Sequence, residues 1–252
     1  MVNAAVLVSG GGTNLQALLD AKANLTEKPQ ENWVGSFGSL NSSFGPIGEI
    51  LYADWSYADQ YPIDLSSYGD RSGLRLQFTV TFQSSDPSVD PADVCSSLVF
   101  KLRSPDTDGK ENNIGWECSV SEFSEKGSIS VSIPLDQAGK HVSNQIDWSK
   151  IERMILFCYL NEPYKADAAK YSMKISTPRI VDITPIEQIQ QQIRTELERT
   201  VDRDGADEQA VQAYEQARQA AQQAAEASVD SVDLYDVTKA LEQLKAAIEA
   251  LS

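Results

Sequence analysis

The sequence predicts an all-β jelly-roll sandwich followed by an all-α three-helix bundle, with a short βα fragment at the N-terminus. Three observations lead to this fold class. Residues 74–82, reading LRLQFTVTF, alternate large apolar with polar side chains, which is the period of a strand with one buried face. Further short runs of this kind, separated by turn residues, continue to about residue 183. From Thr184 onward the apolar spacing becomes helical.

Composition and charge narrow the class of function. The 252-residue chain carries a net charge of −16, which disfavours a nucleic-acid partner because phosphate binding needs a basic surface. No apolar run approaches the ~18 residues that a membrane-spanning helix needs. The cysteines, Cys95, Cys118 and Cys158, are odd in number, which excludes a full disulfide framework. Cys118 and Cys158 lie in apolar runs and are predicted to be buried, reduced thiols.

A glycine-rich loop follows a short apolar run near the N-terminus. Residues 2–21 read VNAAVLVSGGGTNLQALLDA, which predicts a strand, a glycine turn and a helix, the form of a phosphate cradle. The segment closely resembles the opening of glycinamide ribonucleotide formyltransferase, an enzyme of purine synthesis. By that resemblance Gly11, Gly12, Thr13 and Asn14 would hold the substrate phosphate.

This resemblance ends near Ala23. The further parallel strands of that family, and its catalytic Asn, His and Asp, have no counterpart, and the single histidine, His141, lies in a polar loop of unrelated context. One βα unit cannot bury its own apolar face. We therefore expect residues 1–24 to be an inactive, truncated or fused fragment. The segment has no Lys or Arg before its apolar run, so it does not have the form of a secretory signal.

Residues 25–183 are predicted to form one β-sandwich domain. RMILFCYL is apolar on both faces and predicts a central strand, SPDTDGKENN predicts a hairpin with Asp-Gly at its tip, and IDWSKI predicts one helical turn. Antiparallel short strands with almost no helix are typical of a jelly roll. The strand-like runs are 48–55, 74–82, 96–104, 113–120, 127–135, 153–160, 170–176 and 179–184.

Within this domain the segments YPIDLSSYGDRSGLRLQFTVTF, LVFKLRSPDTDGKENNIGW, SISVSIPL and IDWSKIERMILFCYL resemble carbohydrate-binding-type β-sandwich modules. These modules occur in large surface glycosidases of gut Gram-positive bacteria. The resemblance covers most of the domain and implies glycan binding without catalysis. It also implies that a structural calcium ion is possible.

Sugar recognition needs exposed rings for stacking and amide, carboxylate or guanidinium groups for the hydroxyls. The segment ADWSYADQY brings Trp55 and Tyr57 together with Asp54. With Trp116 and Arg103 these are the predicted ligand-binding residues. The alternative for each ring is packing in the core.

Three carboxylates surround the Asp-Gly turn of the predicted hairpin. Asp106, Asp108 and Glu111 supply the oxygen ligands that calcium prefers, and a polar hairpin tip without metal is the alternative. No pair of carboxylates is singled out for glycoside hydrolysis, and no Gly-x-Ser-x-Gly motif accompanies His141. We therefore predict no catalytic residues.

Residues 184–252 are predicted to form three amphipathic helices joined by short turns. The last helix carries an apolar stripe spaced alternately three and four residues apart. The segment holds 14 Asp and Glu against 6 Lys and Arg, so it offers no basic face. Its ending, KALEQLKAAIEAL, resembles the FIVAR module of Gram-positive surface proteins and glycosidases, which is usually a spacer or a binding accessory.

The sequence thus predicts a non-catalytic carbohydrate-binding and spacer module, extracellular or at the cell surface, monomeric and part of a larger protein. Two alternatives stay open. One is an adhesin-like module that binds a protein, and the other is a formyltransferase fragment, expected to be inactive.

Overall fold

The computed structural model describes residues 32–37, 43–44, 46–56, 62–120 and 127–251. Two antiparallel sheets pack face to face, and three helices follow them. The strands are β1 (Trp33–Ser36), β2 (Ser43–Phe44), β3 (Pro46–Ile47), β4 (Ile50–Ser56), β5 (Leu74–Ser84), β6 (Cys95–Thr107), β7 (Lys110–Cys118), β8 (Ser128–Pro134), β9 (Arg153–Leu160), β10 (Tyr171–Ile175) and β11 (Arg179–Asp182). The helices are α1 (Pro91–Val94), α2 (Glu162–Lys165), α3 (Thr184–Leu197), α4 (Glu208–Glu226) and α5 (Leu234–Glu249).

Strand β5 is the centre of the first, six-stranded sheet. One edge of β5 pairs with β8, and the other edge pairs with β11 near its start and β10 near its end. Every inward residue from Leu74 to Phe82 is buried and every residue between them is half-buried. The alternation in the sequence therefore predicted this strand and its two faces correctly.

The second sheet has five strands in the order β3-β4-β9-β6-β7. Strand β9 lies in the middle, as its apolar sequence predicts, and pairs antiparallel with β4 and β6. The inner faces of the two sheets meet at Phe78 of β5 and Phe100 of β6, whose rings stand edge to face with centroids 5.2 Å apart. This contact lies within a hydrophobic core that both sheets share, and the β-sandwich prediction is confirmed.

The hairpin between β6 and β7 turns at Asp108 and Gly109. Their φ angles are 54° and 72°, so both residues adopt the left-handed region that a two-residue type I′ turn requires. The pairing of Thr107 with Lys110 closes the turn. The Asp-Gly signal in the sequence thus predicted the hairpin correctly.

The segment IDWSKI forms a hydrogen-bonded turn and not the predicted helical turn. The Lys150 amide donates to the Asp147 carbonyl at 3.1 Å, and Ile151 then pairs with Ile63 as an isolated bridge. This bridge extends the backbone immediately after the turn, which leaves no room for a helix. The short helices α1 and α2 were not predicted, and both carry Pro at an early helical position.

Helices α3, α4 and α5 pack against one another around a hydrophobic cluster of their own. Asp207 and Asp233 cap α4 and α5, because each carboxylate accepts hydrogen bonds from backbone amides of the first turn. No helix in the described part of the chain is long and apolar enough to cross a membrane. The buried members of the cluster are Ile193, Tyr214, Ala221, Ala225, Ala240, Leu241, Leu244 and Ile248.

The turn between α4 and α5 touches the outer face of the six-stranded sheet. One carboxylate oxygen of Asp230 accepts a hydrogen bond from Ser132 Oγ at 2.7 Å and lies 3.3 Å from Arg75 Nε. Beside this contact is a groove of about 600 Å³ whose sheet side carries hydroxyl groups, including those of Thr79 and Ser130. The face of this sheet that points away from the core is therefore polar and partly covered by the helices.

Candidate functional site

The structure corrects the prediction that Trp55 and Trp116 are stacking residues. Each has only 3% of its surface exposed. Trp55 lies on the inner face of β4 because the alternation that buries Leu51 and Ala53 also turns it inward. Trp116 stacks on Phe100 with ring centroids 5.9 Å apart, and both tryptophans belong to the sandwich core. Neither ring can offer a face to a sugar.

Two other parts of the predicted site lie outside the described residues. Tyr57 is one of them. The proposed phosphate loop at Gly11, Gly12, Thr13 and Asn14 is the other.

The predicted calcium ligands are not gathered into a metal site. Arg103 is 8% exposed, and its guanidinium lies 2.8 Å from a carboxylate oxygen of Asp106 and 3.2 Å from one of Glu111. Asp108 lies in the hairpin turn. Among residues 32–251, where the structure describes them, no three His, Cys, Asp or Glu side chains form a group that could hold a metal ion. The Arg103 guanidinium occupies the position beside Asp106 and Glu111 that a metal cation would need.

Arg103, a predicted ligand-binding residue, lies at the root of the hairpin, where it is nearly buried and paired with these two carboxylates. Asn112 supports the same turn, because its amide donates to the Pro105 carbonyl at 2.6 Å and to Thr107 Oγ1 at 2.7 Å. Buried polar groups that are satisfied in this way hold a loop in one conformation. The backbone pairing of Thr107 with Lys110 and these side-chain hydrogen bonds therefore hold the hairpin tip together.

Three aromatic residues lie on the outer face of the five-stranded sheet, one of them exposed and two half-buried. Tyr52 of β4 lies directly opposite Phe157 of β9, and their ring centroids are 5.3 Å apart. Tyr159 follows two residues after Phe157 on the same face, with centroids 6.2 Å apart and ring planes 24° apart. Tyr159 is 41% exposed. We call Tyr52, Phe157 and Tyr159 the aromatic platform.

The alternation of the two strands explains why the platform faces outward. On β9 the residues at even positions, from Met154 to Leu160, are buried in the core. The residues between them must then point to the opposite face of the sheet. Of these, Ile155 is 4% exposed, and with Val99 of β6, at 3%, it gives the outer face an apolar floor beside the rings.

A charged and hydroxylic group borders one end of the platform. Asp54, two residues after Tyr52, forms an ion pair with Arg153, and Tyr52 Oη donates a hydrogen bond to Asp54 Oδ2 at 2.9 Å. Burial raises the pKa of the Tyr52 phenol, and the hydrogen bond to Asp54 raises it further. The hydrogen bond to Asp54 also raises the pKa of Arg153. Tyr52 therefore stays neutral and Arg153 stays charged at ordinary pH.

Lys101 of β6 adds a cation above the platform. Its Nζ atom lies 5.6 Å from the centroid of the Phe157 ring, within the range of a cation–π contact. The ring face of Phe157 that Lys101 covers is not open to a ligand. Tyr159 is therefore the most accessible ring of the three.

A groove of about 520 Å³ adjoins the other end of the platform at Tyr159. Its polar side chains come from separate elements: Lys165 of α2 lies 3.5 Å from Glu49, and His141 Nε2 lies 3.9 Å from a carboxylate oxygen of Glu117. Ser97 contributes a hydroxyl to the wall. The groove can therefore donate and accept hydrogen bonds next to an exposed aromatic ring.

The spacing of aromatic residues in the sequence indicates the platform, although the apolar character of the strand hides it. In RMILFCYL the even positions carry only Met, Leu and Cys, whereas the odd positions include one Arg and two aromatic residues. Phe157 and Tyr159 occupy alternate positions, and LYADW places Tyr52 on the neighbouring strand. Pairing these two strands would have brought the three rings together. Sequence alone does not give the register that does so.

No family model matches the sequence, and no curated protein matches it. Solved structures give distant matches. The family 30 carbohydrate-binding module of the cellulosomal cellulase Cel9D-Cel44B of Clostridium thermocellum is 15% identical with a TM-score of 0.36, over 60% of this chain and 92% of that one.

Two further matches are longer proteins. A structure of CBM51-2 and INT domains from Clostridium perfringens ZmpB is 12% identical with a TM-score of 0.25, over 81% of this chain and 36% of that one. An exo-beta-agarase is 13% identical with a TM-score of 0.30, over 61% of this chain and 24% of that one. The chain thus spans about a third or less of the length of these two. At such scores the likeness carries no argument about function.

Proposed function

We propose that the chain is a non-catalytic carbohydrate-binding module that holds a glycan on the aromatic platform. The observation that carries the proposal is the row of Tyr52, Phe157 and Tyr159 on the outer face of the five-stranded sheet. Aromatic rings on the solvent-facing side of a sheet do not contribute to the core between the sheets. Such rings can stack against the apolar face of a sugar. The resemblance of the sandwich sequence to glycosidase-associated modules supports the same function.

The polar groups around the platform suit hydroxyl recognition. Asp54 and Arg153 at one end, and Glu117 and His141 in the groove at the other, provide acceptors and donors beside the stacking surface. A pyranose has an apolar face and a rim of hydroxyls, so it needs this combination. We place the ligand over Tyr159 with its hydroxyls toward the groove.

We further propose that α3, α4 and α5 act as a FIVAR-like spacer module. Their hydrophobic cluster is separate from the sandwich core, and the Asp230 contact with Ser132 and Arg75 lies on the sheet opposite the platform. The helices would therefore leave the platform accessible. A secreted or cell-surface location follows from the proposed glycan ligand.

A glycan array with the full chain tests the proposal. One exposed site for a short sugar corresponds to a dissociation constant of ~0.1 to ~1 mM, or about −4 to −5.5 kcal/mol, so the chain should be displayed multivalently. Selective binding that free sugar competes away supports the proposal. A blank array with a folded chain overturns it and favours a structural or protein-binding module. Binding to a protein that sugar does not displace favours the adhesin-like alternative.

A further inference from the structure

Two buried sulfur atoms lie next to each other in the sandwich core. Cys95 begins β6 and Cys158 lies in β9, and their Sγ atoms are 3.0 Å apart. Cys95 is 1% exposed and Cys158 is 0% exposed. A disulfide bond requires an approach about 1 Å closer. The sequence predicts a buried, reduced thiol at Cys158, and the structure places the Cys95 sulfur beside it.

A bulge in β6 brings the two sulfurs together. Leu98 pairs with Cys158 and Ser97 with Tyr159, but the next pair is Cys95 with Leu160, which leaves Ser96 as an extra residue. Without that residue Cys95 would share the outward face of Ser97, because faces alternate along a strand. The bulge turns Cys95 inward, onto the face that holds Cys158.

The third cysteine lies across a strand from this pair. Cys118 pairs with Leu98 on one edge of β6, whereas Cys158 pairs with Leu98 on the other edge. Strand β6 therefore separates Cys118 from Cys158 by two strand spacings, about 9 to 10 Å. This is too far for a disulfide between directly aligned residues.

We propose that Cys95 and Cys158 form a disulfide bond when the chain folds under oxidising conditions, and that Cys118 remains a thiol. With oxidised glutathione as oxidant, the Cys95 thiolate attacks one glutathione sulfur, and one glutathione thiolate leaves. The Cys158 thiolate then attacks the Cys95 sulfur and releases the second glutathione. Two protein thiols are oxidised to one disulfide, and one glutathione disulfide is reduced to two glutathione thiols.

The timing of the reaction follows from the burial of both sulfurs. Exchange needs an accessible thiolate. The hydrogen bond with Cys95 and burial both raise the pKa of the Cys158 thiol far above its ordinary value. The bond must therefore form before the core closes, and once formed it is protected from soluble thiols. It would join the middle strand of the sheet to its neighbour as a lasting cross-link.

Thiol counting tests the proposal on the full chain. The protein is refolded with a reduced and oxidised glutathione mixture, blocked with an alkylating reagent in denaturant, and measured by intact mass and peptide mapping. We expect one alkylated cysteine per chain and one linked peptide pair, Cys95 with Cys158. Refolding with reductant throughout provides the reference, with three alkylated cysteines.

Two matched variants test which of the three cysteines are linked. Cys118→Ser should leave no alkylated cysteine after oxidative refolding, and Cys158→Ser should leave two. A native-state measurement needs no variant: protein already folded with reductant should oxidise much more slowly than protein refolded with the glutathione mixture. Three alkylated cysteines after oxidative refolding, or a linkage that includes Cys118, would overturn the proposal.

Discussion

The rings of Phe157 and Tyr159 lie next to each other on the outer face of the middle strand of the five-stranded sheet, with centroids 6.2 Å apart. The two residues are separated by Cys158, which is fully buried on the opposite face. One stretch of strand therefore contributes to the core and to the candidate ligand surface at once. The remaining features of the site are arranged around this pair.

The ion pair of Asp54 with Arg153 should stabilise the edge of the platform. Its side chains are 22% and 30% exposed, so solvent screens the pair only in part. We expect Asp54→Asn to lower the free energy of unfolding by about 1 kcal/mol, since the amide keeps an acceptor for Tyr52 but loses the charge. Urea denaturation measures this change.

Asp167→Asn is the matched control for that variant. Asp167 pairs with Lys170 at 2.7 Å, but both side chains are about half exposed. Exposed pairs contribute little, so its unfolding midpoint should match that of the unaltered chain. Equal loss of stability in the two variants would show that Asp54 is an ordinary surface charge.

Calcium should not stabilise the β6–β7 hairpin. Arg103 already neutralises Asp106 and Glu111, and a calcium ion would have to displace it. We expect the thermal midpoint to be the same in excess calcium and after treatment with EDTA, as measured by differential scanning fluorimetry. The opposite result would be a thermal midpoint that rises with calcium in the unaltered chain but not in Asp106→Asn. That result would support the calcium site that the sequence predicts.

Acid should destabilise the chain through four carboxylates in tight turns. Each accepts hydrogen bonds from the Ser two residues later, and these bonds hold its pKa below the ordinary value of 3.8. The folded state thus favours the ionised form, and this stabilisation is complete above the unfolded pKa and is lost as pH falls through the folded pKa. The four are Asp64, Asp70, Asp86 and Asp147.

Urea unfolding at about pH 5 and about pH 3 measures this effect, and the midpoint should fall at the lower pH. Asp147→Asn keeps an acceptor for Ser149 but cannot ionise, so its midpoint should fall less between these conditions. A fall of the same size in the variant and the unaltered chain would show that Asp147 does not contribute to the loss of stability in acid.

The Asp230 contact should hold the turn between α4 and α5 against the sandwich. Asp230→Ala removes the acceptor for Ser132 and the charge beside Arg75. We expect faster hydrogen exchange of the backbone amides in that turn, with the core strands unchanged. Asp204→Ala, in the turn between α3 and α4, is the control and should leave this region unaffected. Unchanged exchange in Asp230→Ala would indicate that the contact does not restrain the helices.

The sequence predicted the strands better than it predicted the site. Alternation defined β5 and its neighbours because each strand has one face in the core, and the Asp-Gly pair defined the hairpin through its left-handed backbone. Both signals are local. The identity of the exposed rings is not local, because it depends on which parity of each strand faces inward and on which strands are neighbours.

Trp55 shows this limit most clearly. Its position beside acidic and aromatic residues in ADWSYADQY suggested a binding residue, but Leu51 and Ala53 share its parity and all three are buried. Tyr52, one residue after Leu51, has the opposite parity and reaches the outer face. An aromatic residue in a strand must therefore be assigned to a face by its aliphatic neighbours two positions away before it is assigned a function.

A titration of the Tyr159→Ala chain with the best-bound oligosaccharide tests the central claim most directly. Tyr235→Ala is the matched control, since Tyr235 is 43% exposed on α5 and Tyr159 is 41% exposed on the platform. Isothermal calorimetry or nuclear magnetic resonance should show binding weakened about tenfold or more, at least ~1.4 kcal/mol, for Tyr159→Ala, and unchanged for Tyr235→Ala. Equal affinity in the two variants and the unaltered chain would contradict a glycan site on the aromatic platform.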